Sequence, residues 1–152
     1  MPTLLVVHHT PSPAMHAMEL AVTEGANDPA IEGVDVVVRP ALGATASDVL
    51  AADGFLLGSP VNLGYLSGAL KHFFDQIYYP CLEATKGRPF GVWLHGDNDA
   101  GGALRALEKI TAGLGWRQAQ APVVVTGAVA APELAACREL GASVAAGLAL
   151  DA

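Results

Sequence analysis

The chain has 152 residues, 52% of them hydrophobic, the length of one ordinary domain with apolar material for a substantial core. Fifteen acidic residues against eight basic ones leave a formal charge of −7, and no Lys/Arg cluster is present to neutralise the phosphates of a nucleic acid. No apolar run reaches membrane-spanning or signal length, and Cys81 and Cys137 stand alone without metal-type spacing, so the reading is a cytoplasmic protein with two buried thiols and no membrane role.

In chain order, the first apolar run, Leu4–His8, reads as a strand buried on both faces. Pro13 suits a first helical position, and Met15, Met18 and Val22 then share one helical face. A second strand is expected over Val34–Arg39, followed by a short helix around Ser47–Ala52. A third strand is expected over Gly54–Gly58, and Ser67 then caps a helix with Leu66, Leu70, Phe73, Phe74 and Ile77 on one stripe. The fourth strand, Phe90–His95, precedes a helix carrying Ala103, Leu107, Ile110 and Leu114 that Gly115 ends. The fifth run, Ala119–Val125, is interrupted by Pro122, which marks an edge strand because proline cannot donate to a ladder. A last helix starts at Pro132 and buries Leu134, Cys137, Gly141, Val144 and Leu148.

Strict strand–helix alternation implies an α/β fold: a doubly wound, five-stranded parallel sheet of order 2-1-3-4-5 with helices on both faces. With no internal repeat or linker, residues 1–152 read as a single domain. In such sheets ligands bind at the loops leaving the carboxyl ends of the strands. Three such loops carry chemistry. The first, around Thr10-Pro11-Ser12-Pro13-Ala14-Met15, places hydroxyls and backbone N–H groups at a helix start, which suits a phosphate. The second, Ser59-Pro60-Val61-Asn62-Leu63-Gly64, is rich in turn formers, with Asn62 also readable as a left-handed turn residue. The third, His95-Gly96-Asp97-Asn98-Asp99, opens a helix that Asp99 is expected to cap. Together they suggest a flat, phosphate-bearing cofactor, with FMN the leading candidate.

The loops separate the families that share this architecture. A dinucleotide-binding fingerprint would need G-x-G-x-x-G after the first strand, where the chain reads His8-His9-Thr10-Pro11-Ser12-Pro13. A phosphoacceptor receiver would need acidic residues after that strand and an Asp where Ser59 stands. His8, His9, His16, His72 and His95 form no metal-type spacing. By contrast, Gly58-Ser59-Pro60-Val61-Asn62-Leu63-Gly64, followed by Ser67-Gly68-Ala69-Leu70-Lys71-His72-Phe73-Phe74-Asp75, closely resembles flavodoxin-like NAD(P)H-dependent FMN reductases. Those proteins read G-[ST]-P-x-x-x-G and then S-x-x-L-K-x-F-x-D.

The resemblance implies a flavodoxin-like fold, FMN as cofactor and NAD(P)H as co-substrate. Thr10 and Ser12, with the amides of Ala14 and Met15, would hold the phosphate. Ser59, Pro60, Val61, Asn62, Leu63 and Gly64 would lie along the isoalloxazine edge, and His95, Gly96, Asp97 and Asn98 would meet its pyrimidine end. Flavodoxins commonly read like T-x-T-G-N-T in the first loop, so Pro13, Ala14 and Met15 are departures that weaken the phosphate site or bring in His9 or His16. The third loop has no aromatic residue, leaving Tyr65 alone nearby in sequence, which favours a two-electron reductase. The expected reaction is hydride transfer from NAD(P)H through FMN to a quinone, flavin or other small acceptor, or to a redox partner protein, with no catalytic side chain assigned. A one-electron carrier of flavodoxin type and a flavin-free interaction module of the same fold are the alternatives. Tyr78-Tyr79-Pro80-Cys81-Leu82 reads either as cover for a sheet end or as the contact of a homodimer near the flavin.

Overall fold

The computed structural model describes residues 1–152. Four long strands form its parallel framework: β1 (Thr3–His8), β2 (Asp35–Pro40), β3 (Gly54–Asn62) and β5 (Pro89–Gly96), side by side in the order β2-β1-β3-β5. Two short strands, β6 (Arg117–Gln118) and β7 (Val123–Thr126), both pair with the free edge of β5, β6 at Pro89–Phe90 and β7 at Trp93–Gly96. With these two taken as halves of one edge strand, the order is the flavodoxin-like one expected from the sequence. The run expected at Ala119–Val125 is thus broken, and Ala119–Pro122 lies between its halves, where Pro122 offers no ladder donor.

The second departure matters more for function. β3 does not stop at Gly58 but runs on through Ser59, Pro60 and Val61 to Asn62, and β4 (Tyr65–Leu66) folds back antiparallel on its end. Leu63 and Gly64 form the two-residue turn, with φ of 53° and 73°. Positive φ at both central positions is the hairpin geometry whose twist matches that of the flanking strands. The left-handed residue is therefore Leu63 rather than Asn62.

Five helices cover the sheet: α1 (Pro13–Ala26), α2 (Ala46–Ala51), α3 (Gly68–Cys81), α4 (Gly101–Leu114) and α5 (Ala131–Asp151). Strand alternation divides the core. Leu4, Val6, Leu56 and Trp93 point to Met15, Met18 and Val22 of α1 and to Cys137, Leu140, Val144 and Leu148 of α5. Leu5, Val7, Phe55, Leu57, Val92 and Leu94 point the other way, to Val49 of α2, Leu70, Phe73, Phe74 and Ile77 of α3, and Leu107 of α4. Local chemistry sets the helix ends. Ser12 and Ser67 cap α1 and α3, Thr45 and Asp48 form a capping box on α2, and Gly115 ends α4 in the left-handed conformation. No helix is long and apolar enough to cross a membrane.

Candidate functional site

All three sequence-predicted loops lie at the carboxyl end of the parallel sheet, because each follows a parallel strand. In the first, the His9 N–H donates to Gly58 O at 3.0 Å, pinning the loop to β3. Ser12 Oγ accepts from the Met15 N–H at 3.2 Å, so the amide of Met15 is committed to the helix cap, and its side chain is fully buried. The hydroxyl proton of Ser12 and the N–H groups of Thr10, Ser12 and Ala14 have no partner within the chain, while Pro11 and Pro13 supply no N–H. Thr10 Oγ1 lies 3.2 Å from His8 Nδ1.

The second loop is the β3–β4 hairpin. Ser59 is fully buried, and its hydroxyl is spent inside the protein: it donates to Pro60 O at 2.7 Å and accepts from the Ser67 N–H at 2.9 Å. Ser67 Oγ in turn accepts from the Leu70 N–H at 3.2 Å. Ser59 thereby staples the end of β3 to the start of α3. Pro60 is buried beside His95 in the ladder, Val61 is half-buried, and Asn62, Leu63, Gly64 and Tyr65 are exposed. The N–H groups of Leu63 and Gly64 have no partner. Gly102 at the start of α4 has no room for a side chain, since a Cβ there would collide with the Gly64 carbonyl oxygen. This contact brings the second and third loops together.

In the third loop, His95 Nε2 is 2.7 Å from Gly127 O, which fixes Nε2 as the protonated nitrogen, because a carbonyl only accepts. The Gly127 N–H returns a bond to Gly96 O at 2.9 Å. Asp97, Asn98 and Asp99 are exposed; the N-cap of α4 is Ala100 rather than the expected Asp99, whose Oδ1 accepts from the Gly101 N–H at 2.8 Å from one position earlier. The N–H groups of Asp97, Asn98, Asp99 and Ala100 have no partner.

Nine backbone donors thus stand unpartnered in three loops at one end of the sheet. One buried ring nitrogen there, Nδ1 of His9, is also unpaired, as is Nε1 of Trp93 deeper in the core. Buried polar atoms without partners are rare, which singles out His9 Nδ1 at this end of the sheet. The loop amides, that of Ala100 aside, belong to exposed or half-buried residues, and such a set of free donors fits a ligand that accepts hydrogen bonds and carries negative charge. The set fits the phosphate and the ring heteroatoms of FMN. A cavity of about 210 Å³ lined by His8, His9, Thr10, Pro11, Pro40, Ala41 and Leu42 opens beside the first loop. A larger cavity, about 620 Å³, lies at the opposite end of the strands among Met1, Asp53, Arg88, Arg117 and Ala152, away from all three loops.

Comparison with known proteins agrees with the fold and motifs. The family model for NADPH-dependent FMN reductase matches residues 13–134. The chain belongs to that family. An FMN-linked redox function is accordingly supported for this NADPH-dependent FMN reductase family member. It is also 39% identical to the flavodoxin of Aquifex aeolicus (strain VF5) over 74 residues, which are 49% of this chain and 39% of that protein. In fold it is similar to the flavodoxin, WrbA-like protein from Agrobacterium tumefaciens, with a TM-score of 0.76 and 22% identity over 99% of this chain and 98% of that one. It is similar as well to a flavodoxin from the domain Archaea, with a TM-score of 0.79 and 17% identity over 96% and 98%.

Tyr78 and Tyr79 lie at the far end of the family fold from these loops. Helix α3 begins at Ser67 beside the end of β3 and runs about 1.5 Å per residue back toward the strand starts. Tyr78 is half-buried against Gly113 near the end of α4, and Tyr79 is 82% exposed. Of the two readings of this segment, a contact beside the three loops is therefore corrected: these rings sit at the opposite end of the sheet. Sequence reasoning also missed the Ser59–Ser67 staple and the His95–Gly127 bond, whose partners are eight and 32 residues apart.

Proposed function

We propose that this protein is an FMN-dependent oxidoreductase that takes electrons from NAD(P)H and passes them to a small acceptor such as a quinone or a flavin. The observation that carries this reading is the gathering of unpartnered N–H donors at the carboxyl ends of β1, β3 and β5, in a chain of the FMN reductase family. Bound FMN would supply the redox chemistry, the passage of a hydride equivalent, two electrons with a proton, from NAD(P)H to the acceptor.

The protein's part is to bind and orient. Thr10, Ser12 and Ala14 offer three backbone donors and two hydroxyls for the phosphate. Met15 contributes through the buried side chain that anchors α1, since its own amide serves the Ser12 cap. The turn amides of Leu63 and Gly64, and those of Asp97 and Asn98, are the donors available to the ring edge. Preorganised donors favour negative charge developing on the ring during reduction. Ser59, Pro60, Val61, His95 and Gly96 set where those amides stand, and Asn62 adds an exposed side-chain amide at the mouth of the turn.

The flavodoxin match supports a second reading, a one-electron carrier acting with a redox partner protein. Tyr65, 41% exposed, is the only aromatic residue of the hairpin, and the third loop has none, which favours the reductase. Stopped-flow mixing of the FMN-loaded protein with NADPH and with NADH tests the choice. Bleaching of the flavin band within seconds supports the reductase, and no bleaching over minutes supports the carrier.

A further inference from the structure

We infer that His8 is the counter-cation and the switch for phosphate recognition in the first loop: its imidazolium turns the Thr10 hydroxyl outward, so the loop takes up a proton as it takes up the phosphate. The inference rests on the FMN-binding reading above and names the residue that governs it. From His8 to His16 the chain contains no Lys or Arg, so only histidine can supply a positive charge within the loop itself. Of the three there, His8 alone touches a candidate phosphate donor, through the 3.2 Å contact between its Nδ1 and Thr10 Oγ1. His16 is exposed on α1, and His9, which lines the same cavity as His8 and Thr10, makes no side-chain hydrogen bond to either, its Nδ1 buried and unpaired.

The Thr10 contact runs one of two ways, set by whether Nδ1 carries a proton; the neutral Nδ1–H tautomer donates to Thr10 as the imidazolium does but brings no positive charge. When neutral His8 carries its proton on Nε2, Nδ1 accepts and draws the Thr10 proton away from the ligand side. When His8 is protonated on both nitrogens, Nδ1 can only donate, and the Thr10 hydroxyl must send its own proton elsewhere. A phosphate oxygen accepting that proton at ~2.8 Å would lie no farther than roughly 6 Å from Nδ1, given the 3.2 Å contact. At that range an opposite charge raises the affinity of an imidazole for its proton. The surroundings leave room for this. Burial lowers the pKa of His8, the Glu19 carboxylate on α1 raises it, and His9 and His16 lower it further, so the imidazole is neutral before an anion arrives. The strand partners Pro40 and Gly58 bring no charge.

The test is a fluorescence titration of FMN and of riboflavin, which lacks the phosphate, into the wild-type protein, His8→Asn and His16→Asn, between about pH 8 and pH 6.5. An upward shift of the His8 pKa on phosphate binding predicts that wild-type FMN affinity grows several-fold on acidification across that window. Riboflavin affinity stays flat, His8→Asn loses the FMN slope, and His16→Asn keeps it. An NMR titration of the His8 ring with and without inorganic phosphate reads the same linkage without a mutation, and its midpoint moves up when phosphate is present. The inference is overturned if FMN binds with no pH dependence, if the slope survives in His8→Asn, if it follows His16, or if phosphate leaves the His8 midpoint in place. In each of those cases flavin binding still stands. A wild-type protein that binds neither flavin overturns the inference and the FMN-binding reading together.

Discussion

Ser59 occupies the serine position of the G-S-P motif, and its hydroxyl is committed to the protein on both sides, which makes Ser59→Ala the sharpest structural test. The substitution leaves the Ser67 N–H buried without its acceptor, now at 2.9 Å, and removes the donor to Pro60 O at 2.7 Å. An orphaned buried donor costs about 1–3 kcal/mol and the second bond about 1 kcal/mol, so the loss is roughly 2–4 kcal/mol. For a chain of this size that lowers Tm by roughly 5–15 °C. Urea denaturation of the flavin-free protein reads the change as a lower midpoint with an unchanged slope. Ser67→Ala removes only the α3 cap and costs about 1 kcal/mol. A Ser59→Ala protein within about 0.5 kcal/mol of wild type, but with weakened FMN binding, would refute the staple and return this hydroxyl to the ligand.

Three further substitutions probe other parts of the account. Gly102→Ala places a methyl against the Gly64 carbonyl, so we expect a loss of about 1–3 kcal/mol in urea denaturation and weaker FMN binding as the hairpin moves off α4. Leu63 is fully exposed and left-handed, with φ of 53°, so Leu63→Asn forfeits no burial. It should raise stability by up to about 1 kcal/mol, and an equal loss would mean that the leucine side chain has a contact of its own. Burial holds the His8 imidazole below its usual value near 6.5, so the unfolded chain takes up this proton first as the pH falls. The stability that depends on neutral His8 is present above about pH 6.5 and is lost as pH falls through the lower folded-state value. Urea midpoints at about pH 7.5 and 5.5 should therefore converge in His8→Asn relative to wild type, and an equal acid loss in both proteins would rule His8 out as its source.

The sheet was legible because strands buried on both faces leave continuous apolar runs, and the helices because their faces recur at helical spacing beside Ser12, Ser67 and Gly115. The end of β3 was not. Pro60, Asn62 and Gly64 are turn formers, and they hide a strand whose pairing with Tyr65–Leu66 is a tertiary fact. One signal was available: Val61 and Leu66 flank a stretch with Gly64 at its second turn position, which is a hairpin pattern with Leu63 where Asn would be usual. The break in the edge strand was half-visible, since Pro122 announced the edge but not the gap. Which amides of the candidate site are already spent could not be read from residue types. Met15 loses its donor to the hydroxyl of Ser12, and the ring of His95 is taken by a carbonyl 32 residues away.

The most direct measurement is the visible absorbance spectrum of the purified protein through a titration with FMN, followed by addition of NADPH. The account predicts saturable binding with a perturbed flavin band, and then loss of that band on reduction. Free-flavin spectra through high micromolar FMN would contradict it, and would mean that Pro11, Pro13 and the committed amide of Met15 leave too few donors to hold the phosphate.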